Sequence, residues 1–321
     1  MTDVSDPELE ELLREIDRLA TQRDWDALLA LRDRARASHE RGKQHWPAAA
    51  HAEYRIALEA PGEFAGAVIV DGAGRFALGP LAEVAASTHT WSELAPHIPP
   101  GPLVSITAHE RIVCGDDLRD DARVDPYVLP PPLALEPWEP PYALATYQAD
   151  QADFPMPPLP SRSATELPLA PHESTSDADE AIALRALVAT WLTDSNGRAD
   201  VVAVEGTALT AIAALEVRSA RVAALSLGDA FALMAWVGAS GGAEGRRRGM
   251  AWGRFLAWEC AAALAGVDIE DDVGAAADEL QWFVWDTGDA DTGWALRLAV
   301  EDPDGGCAWA LDASDRVAVE R

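Results

Sequence analysis

A proline-rich stretch in the middle of the chain sets the strongest limit on its fold. More than half of the 22 prolines lie between residues 126 and 172. Proline fixes φ and has no backbone N–H, so regular helix is excluded there and sheet is interrupted. The stretch also carries large apolar side chains, which a solvated linker lacks: Leu133, Leu135, Trp138, Tyr142, Leu144, Tyr147, Phe154 and Leu159. We therefore predict an ordered strap at 126–172, between domains at 1–125 and 173–321.

The first domain is predicted to be helical. Its first helix follows Asp6 as a cap and Pro7 as the first helical residue, with an apolar stripe at helical spacing. Further helices are expected from Asp24, from about Trp46 to Leu58, and at Leu81–Ala86, Ser92–Ala95 and Leu103–Cys114, with one short strand at Ala67–Val70. This pattern indicates an irregular array of helical hairpins.

The second domain mixes both element types. Ser176 is a predicted cap for a helix at Ala181–Leu192, a buried strand is expected at Val201–Val204, and helices are expected at Ala208–Val217, Leu225–Val237 and Arg248–Leu264. Asp/Gly turns then separate three predicted strands, which indicates an antiparallel meander: Leu280–Trp285, Trp294–Val300 and Cys307–Leu311. The fold class is α+β overall, with the C-terminal helices packed on a small, mainly antiparallel sheet.

The charge balance narrows the range of partners. The chain has 54 acidic and 25 basic residues, and Lys43 is its one lysine. Such an excess argues against nucleic acid and against anionic membranes as partners. No signal peptide is recognisable, and the apolar stretch at Val222–Val237 is interrupted by Asp229 and too short to span a bilayer. We expect a cytoplasmic protein.

A glycine- and arginine-rich loop is the candidate site. Gly245, Arg246, Arg247, Arg248 and Gly249 precede a predicted amphipathic helix. Arginines beside backbone N–H groups at a helix start make an anion-binding site. The alternative is internal ion pairing with nearby acids, namely Glu244, Asp268, Glu270, Asp271 and Asp272.

The same loop resembles a short signature of the N-acetyltransferase family. Arg246-x-x-Gly249-x-Ala251 matches its Arg/Gln-x-x-Gly-x-Gly/Ala pattern over six residues. The resemblance implies that the loop N–H groups hold the pyrophosphate of coenzyme A, and that a strand precedes the loop. A coenzyme A-dependent acyltransferase using residues 245–251 is therefore the alternative function.

Other catalytic patterns lack an essential member. Ser240 lies in a Gly-x-Ser-x-Gly sequence, but no histidine follows His172 to serve as its base, so we expect a turn residue. Gly72-x-Gly74-x-x-Ala77 imitates a dinucleotide fingerprint without the helix that must follow, and a turn explains it better.

Neither histidine nor cysteine spacing predicts a metal or a disulfide framework. His45 and His51 with Glu53 do not share a helical face, and His109-Glu110 lacks the second histidine of a zinc-protease motif. Cys114, Cys260 and Cys307 are widely separated. By subtraction, we expect a non-enzymatic binding protein with a protein partner, no resident cofactor and no metal.

Overall fold

A computed structural model of the chain describes residues 7–39, 45–169, 173–288 and 293–316. These residues form helices and two antiparallel sheets, so the predicted α+β class is confirmed. Asp6, the predicted cap, and Lys43 lie outside the described residues. The chain divides into two compact units, one made of Met1–Leu129 and Leu144–Phe154, the other of Pro130–Ala143 and Pro155–Arg321.

The first unit is built around one almost completely buried helix, α3. The helices of this unit are α1 (Pro7–Gln22), α2 (Trp25–His39), α3 (Trp46–Glu59), α4 (Gly62–Ala67), α5 (Leu81–Thr88), α6 (Trp91–Leu94) and α7 (Pro102–Val113). Helices α1, α2 and α5 all contact α3. Its alanines allow close approach, while Tyr54 and Ile56 fill the space between the helices. The helices predicted for this part of the chain are confirmed.

The predicted strand at Ala67–Val70 is wrong. Helix α4 ends at Ala67 and a turn follows, in which the Ile69 N–H donates to the Gly66 carbonyl. Val68 and Ile69 are buried in the helical core, so packing overrides their strand preference. In the next turn, Gly74 has a positive φ of 63° and donates its N–H to Glu53. The glycines at 72 and 74 therefore serve turns, as expected.

The second unit contains a six-stranded antiparallel sheet. Its strands are β3 (Ser163–Thr165), β4 (Arg198–Glu205), β5 (Ala220–Leu225), β6 (Gln281–Asp286), β7 (Trp294–Asp302) and β8 (Cys307–Asp315), in the order β3-β5-β6-β7-β8-β4. The predicted meander β6-β7-β8 is confirmed. Strand β4 was predicted as a buried strand but lies at the edge of the sheet. The first unit holds a separate hairpin of β1 (Thr146–Tyr147) and β2 (Ala152–Asp153).

Helices cover the sheet of the second unit. They are α8 (Asp179–Ala186), α9 (Ala189–Asp194), α10 (Ala208–Ala214), α11 (Leu227–Ala239), α12 (Met250–Ala265) and α13 (Val273–Asp278). Helix α10 packs Ile212 in a cluster with Trp285 and Ala299 on one face. Their neighbours along the strands, Leu298 and Val300, are also fully buried, so both faces are covered.

Two helix predictions in this unit need correction. The expected helix at Ala181–Leu192 is two helices, α8 and α9, because the chain bends to bury both Leu187 and Val188. Ala178, and not Ser176, occupies the N-cap position of α8, and it makes no side-chain cap hydrogen bond. None of the helices in the described residues combines the length and the apolar content needed to cross a membrane.

Glycine lets α11 and α12 approach closely. A Cβ on Gly253 would overlap the carbonyl oxygen of Ala235 in α11, so a larger residue would push the helices apart. This close pair fixes both ends of the loop that joins the two helices, which contains the predicted site.

Each unit also holds part of the proline-rich stretch. In the second unit, the Trp138 ring lies 5.0 Å from the Phe231 ring and 5.0 Å from the Trp258 ring, measured between centroids. In the first unit, the Tyr147 hydroxyl donates to Glu83 at 2.6 Å. The aromatic residues of this stretch thus make specific contacts, each within its own unit.

Candidate functional site

The glycine- and arginine-rich loop joins α11 to α12 and is held at several points. The Arg248 N–H donates to the Ala239 carbonyl at 2.8 Å, which closes the loop at its base. The Ala243 N–H donates to Asp315 at 2.6 Å, and the Glu244 N–H donates to the Ser195 hydroxyl at 3.0 Å. The loop is therefore anchored to β8 and to the end of α9.

Its glycines serve the tight fold of the loop. A Cβ on Gly245 would overlap the Gly241 carbonyl, because the chain doubles back on itself there. Gly249 caps α12 with a φ of 98°, a conformation that side chains rarely tolerate. The predicted site glycines, Gly245 and Gly249, thus have conformational roles. The sequence pattern alone did not distinguish these roles from ligand binding.

The three arginines occupy different environments. Arg246 is exposed, while Arg247 and Arg248 are half-buried. The Arg248 guanidinium lies 4.6 Å from the centroid of the Trp252 ring, a cation–π contact along α12. Burial lowers the pKa of Arg248, and the charge of Asp194 partly opposes this effect. The position of Arg248 is therefore fixed by a defined contact.

The element before the loop is a helix. The N-acetyltransferase arrangement needs a strand there, and residues 227–239 form α11 instead. The resemblance at 246–251 therefore extends to the helix that follows the loop but not to the element that precedes it.

Ser240 is a structural residue at the end of α11. It is 2% exposed, accepts a hydrogen bond from the Trp191 indole N–H at 2.8 Å, and donates to the Val237 carbonyl at 2.8 Å. Both bonding directions of the hydroxyl are used, so it is unavailable as a nucleophile.

The histidines that the sequence singled out are dispersed. His45 lies 3.8 Å from Glu8, His51 lies 3.4 Å from Asp17, and His109 is buried in α7. Within the described residues, no three His, Cys, Asp or Glu side chains are grouped so that they could hold a metal ion.

Sequence reasoning missed a groove beside the edge strand β4, which we call the β4 groove. Its volume is about 950 Å³. Ala203, Cys307 and Trp309 lie along it, and the pairing of β4 with β8 sets Ala203 opposite Trp309 and Glu205 opposite Cys307. Residues 173–175 form one wall, held by two backbone hydrogen bonds between Thr175 and Ala203. The start of α8 completes the groove.

The β4 groove combines acidic side chains with apolar ones. Glu173, Glu180 and Glu205 line it, and no lysine, arginine or histidine does so among the described residues. Burial raises the pKa of the Cys307 thiol, and the charges of Asp302 and Glu180 raise it further. The thiol is therefore protonated at neutral pH and is a poor nucleophile.

A family model matches residues 10–316, nearly the whole chain. The chain belongs to DUF6183. The description of this family is a family of unknown function, so membership names no ligand or reaction. No curated protein and no solved structure matches the chain.

The β4 groove of this DUF6183 member has no local sequence signal. Its residues come from three distant segments, 173–180, 203–205 and 307–309, which the register of β4 and β8 brings together. Only the acidic residues near 173–180 and the tryptophan at 309 stand out in the sequence. To place these residues together, one would have had to know that β4 pairs with β8.

Proposed function

We propose that this chain is a binding protein, not an enzyme, and that the β4 groove receives a segment of a partner protein. The observation that carries this proposal is the groove itself. Its volume of about 950 Å³ is within the range of ligand sites, and it lies along a sheet edge where a partner can approach. Among the described residues, Thr175 alone pairs with the outer edge of β4.

The side chains of the groove favour binding over catalysis. The residues of nucleophilic type in the lining are Ser174, Thr175 and Cys307, and Cys307 is held as a thiol. Among the described residues, no histidine lines the groove to act as a general base for them. What remains is a lining of carboxylates and apolar side chains, which suits recognition of a complementary surface.

Photo-crosslinking tests the location of the partner. A photoreactive phenylalanine replaces Ser174 on the groove wall. The control replaces Ser219, which is also an exposed serine and lies next to β5, four strands away from β4 in the sheet. We expect crosslinks to a partner at 174 and not at 219, in cells that express the chain. The partner identified in this way is then purified for binding measurements.

Blocking the groove tests whether that contact matters. In a Cys114→Ser protein, a bulky maleimide attached to Cys307 at high pH fills the groove and should prevent binding of the purified partner. The same treatment of a protein that also carries Cys307→Ser is the control. Unchanged binding by the blocked protein would reject the proposal.

Anion binding by the loop at 245–249 is the second candidate. It is supported by helix α12, which starts without an acidic residue in its first turn and without a side-chain cap. Within the described residues, Arg248 forms no ion pair with a carboxylate. Coenzyme A-dependent acyl transfer depends on the same loop and has less support, because a helix precedes it.

Three broader statements stay predictions. They are the division into domains at 1–125 and 173–321 with a strap at 126–172, the cytoplasmic location, and the absence of nucleic acid among the partners. The charge of −29 supports the last of these.

A further inference from the structure

We infer that the occupant of the β4 groove is an extended peptide segment that carries a lysine or arginine. This inference rests on the function proposed above and adds the chemistry of the partner. Two independent observations support it, the charge of the groove and an indole N–H that donates no hydrogen bond within the described residues.

The first observation is the charge around the groove. Glu173, Glu180 and Glu205 line it without a basic side chain among the described residues. A lysine or arginine has an apolar stem and a charged tip, so its stem fits over Ala203 and its tip reaches the carboxylates. An acidic or purely apolar segment would leave these carboxylates desolvated without compensation.

The second observation is a hydrogen-bond donor among the residues that line the groove. Trp309 lines the groove and is 4% exposed. Its indole N–H donates no hydrogen bond within the described residues. The indole nitrogen is not among the fully buried polar atoms that lack a partner, so it is accessible from the groove, and a peptide carbonyl oxygen would accept its hydrogen bond in place of water.

Together these groups define the ligand. The backbone supplies a carbonyl oxygen to Trp309, and the cationic side chain lies between Glu180 on α8 and Glu205 on β4. An extended segment fits this groove, because Ala203 and Glu205 of β4 and their partners Trp309 and Cys307 of β8 follow one face of the sheet along the strands.

Peptide binding measured by fluorescence anisotropy tests the inference. The probe is a labelled eight-residue peptide of alternating valine and lysine, compared with peptides in which glutamate or serine replaces lysine. We expect binding of the lysine peptide alone, and weaker binding as the salt concentration rises.

Matched variants separate the groove from the general negative charge of the chain. Glu180→Gln with Glu205→Gln should weaken binding of the lysine peptide by about two- to fivefold per carboxylate. Asp200→Asn with Glu216→Gln removes the same charge elsewhere and should leave binding unchanged. Trp309→Phe keeps the ring, removes the N–H, and should weaken binding by about two- to tenfold. Unchanged melting temperatures show that the variants are folded.

Each contrary result has a distinct meaning. Equal binding of the glutamate or serine peptide, equal loss in both double variants, or no binding of any peptide would overturn the inference about a cationic segment. Full binding by Trp309→Phe would overturn the carbonyl contact. The proposed function fails separately, when crosslinks do not favour position 174 or the blocked groove still binds the purified partner.

Discussion

Arg254 and Glu139 form a salt bridge in which both side chains are 0% exposed. The guanidinium donates to both carboxylate oxygens, at 2.8 and 2.7 Å, and also to the carbonyls of Pro132 and Ala134. Burial alone would raise the pKa of Glu139, but Arg254 outweighs it and the pKa is lowered. This pair fixes the segment Pro130–Ala143 on α12 within the second unit.

Loss of Arg254 should be strongly destabilising. Arg254→Ala leaves the Glu139 carboxylate buried without its partner, which costs about 3–5 kcal/mol of the free energy of unfolding. Urea unfolding followed by circular dichroism measures the loss. The control is Arg14→Ala, which removes an exposed pair with Glu10 and should change stability little.

A double variant distinguishes the charge from the packing. Arg254→Met with Glu139→Leu removes both charges and should recover much of the stability lost in Arg254→Ala. A double variant as unstable as Arg254→Ala would mean that hydrogen bonds to the 132–134 carbonyls, and not the buried charge, dominate.

Part of this architecture follows from the sequence, and part of it depends on tertiary contacts. The meander at β6-β7-β8 was predictable because Asp/Gly turns separate its strands. Strand β5 was missed because Ala220–Leu225 is rich in alanine and has no local strand signal; it is a strand because β3 and β6 pair with it on either side. The partner of Arg254 was likewise unpredictable, because Glu139 lies 115 positions earlier in the chain.

Asp286 should make the second unit sensitive to acid. It is buried at the end of β6 and accepts hydrogen bonds from Arg221, Gly288 and Arg162. Burial raises its pKa, but these three donors together outweigh that effect and the pKa is lowered. The stabilisation is therefore complete above the unfolded pKa of about 3.9 and is lost as the pH falls toward the lower folded pKa.

Stability measured against pH checks this prediction. Asp286→Asn should be less stable than the wild-type protein at pH 7, and the difference should shrink as the pH falls below about 4. Asp200→Asn changes an exposed aspartate and serves as the control. A difference that stays constant from pH 7 to pH 3 would contradict the role given to the Asp286 charge.

The cysteines should react slowly in the native protein. Burial raises the pKa of Cys114 to about 11, with Arg111 partly opposing it, and raises that of the fully buried Cys260 still further. At pH 8, disulfide exchange of Cys114 with a chromogenic reagent should be at least about tenfold slower than that of glutathione. Three thiols should react rapidly after unfolding in guanidinium chloride. A rapid native phase at pH 8 would show an activated cysteine.

Ser240 should matter for stability. Ser240→Ala leaves the buried indole N–H of Trp191 without its acceptor, which costs about 1–3 kcal/mol. Ser219→Ala changes an exposed serine and should have almost no effect. Unchanged stability of Ser240→Ala, together with loss of a measurable hydrolase activity, would restore Ser240 as a nucleophile.

Arg248 allows a direct test of the anion-binding loop. We expect phosphate at low ionic strength to raise the melting temperature of the wild-type protein, because a ligand of the native state stabilises it. Arg248→Ala should abolish this rise, since it removes the cation that lies beside the start of α12. Arg218→Ala removes the same charge at an exposed position outside the loop and should preserve the rise. A rise with coenzyme A but not with phosphate would favour the acyltransferase alternative. If every anion produced the same small rise in melting temperature in both variants, ionic screening would explain the rise. The loop would then serve only to join α11 to α12.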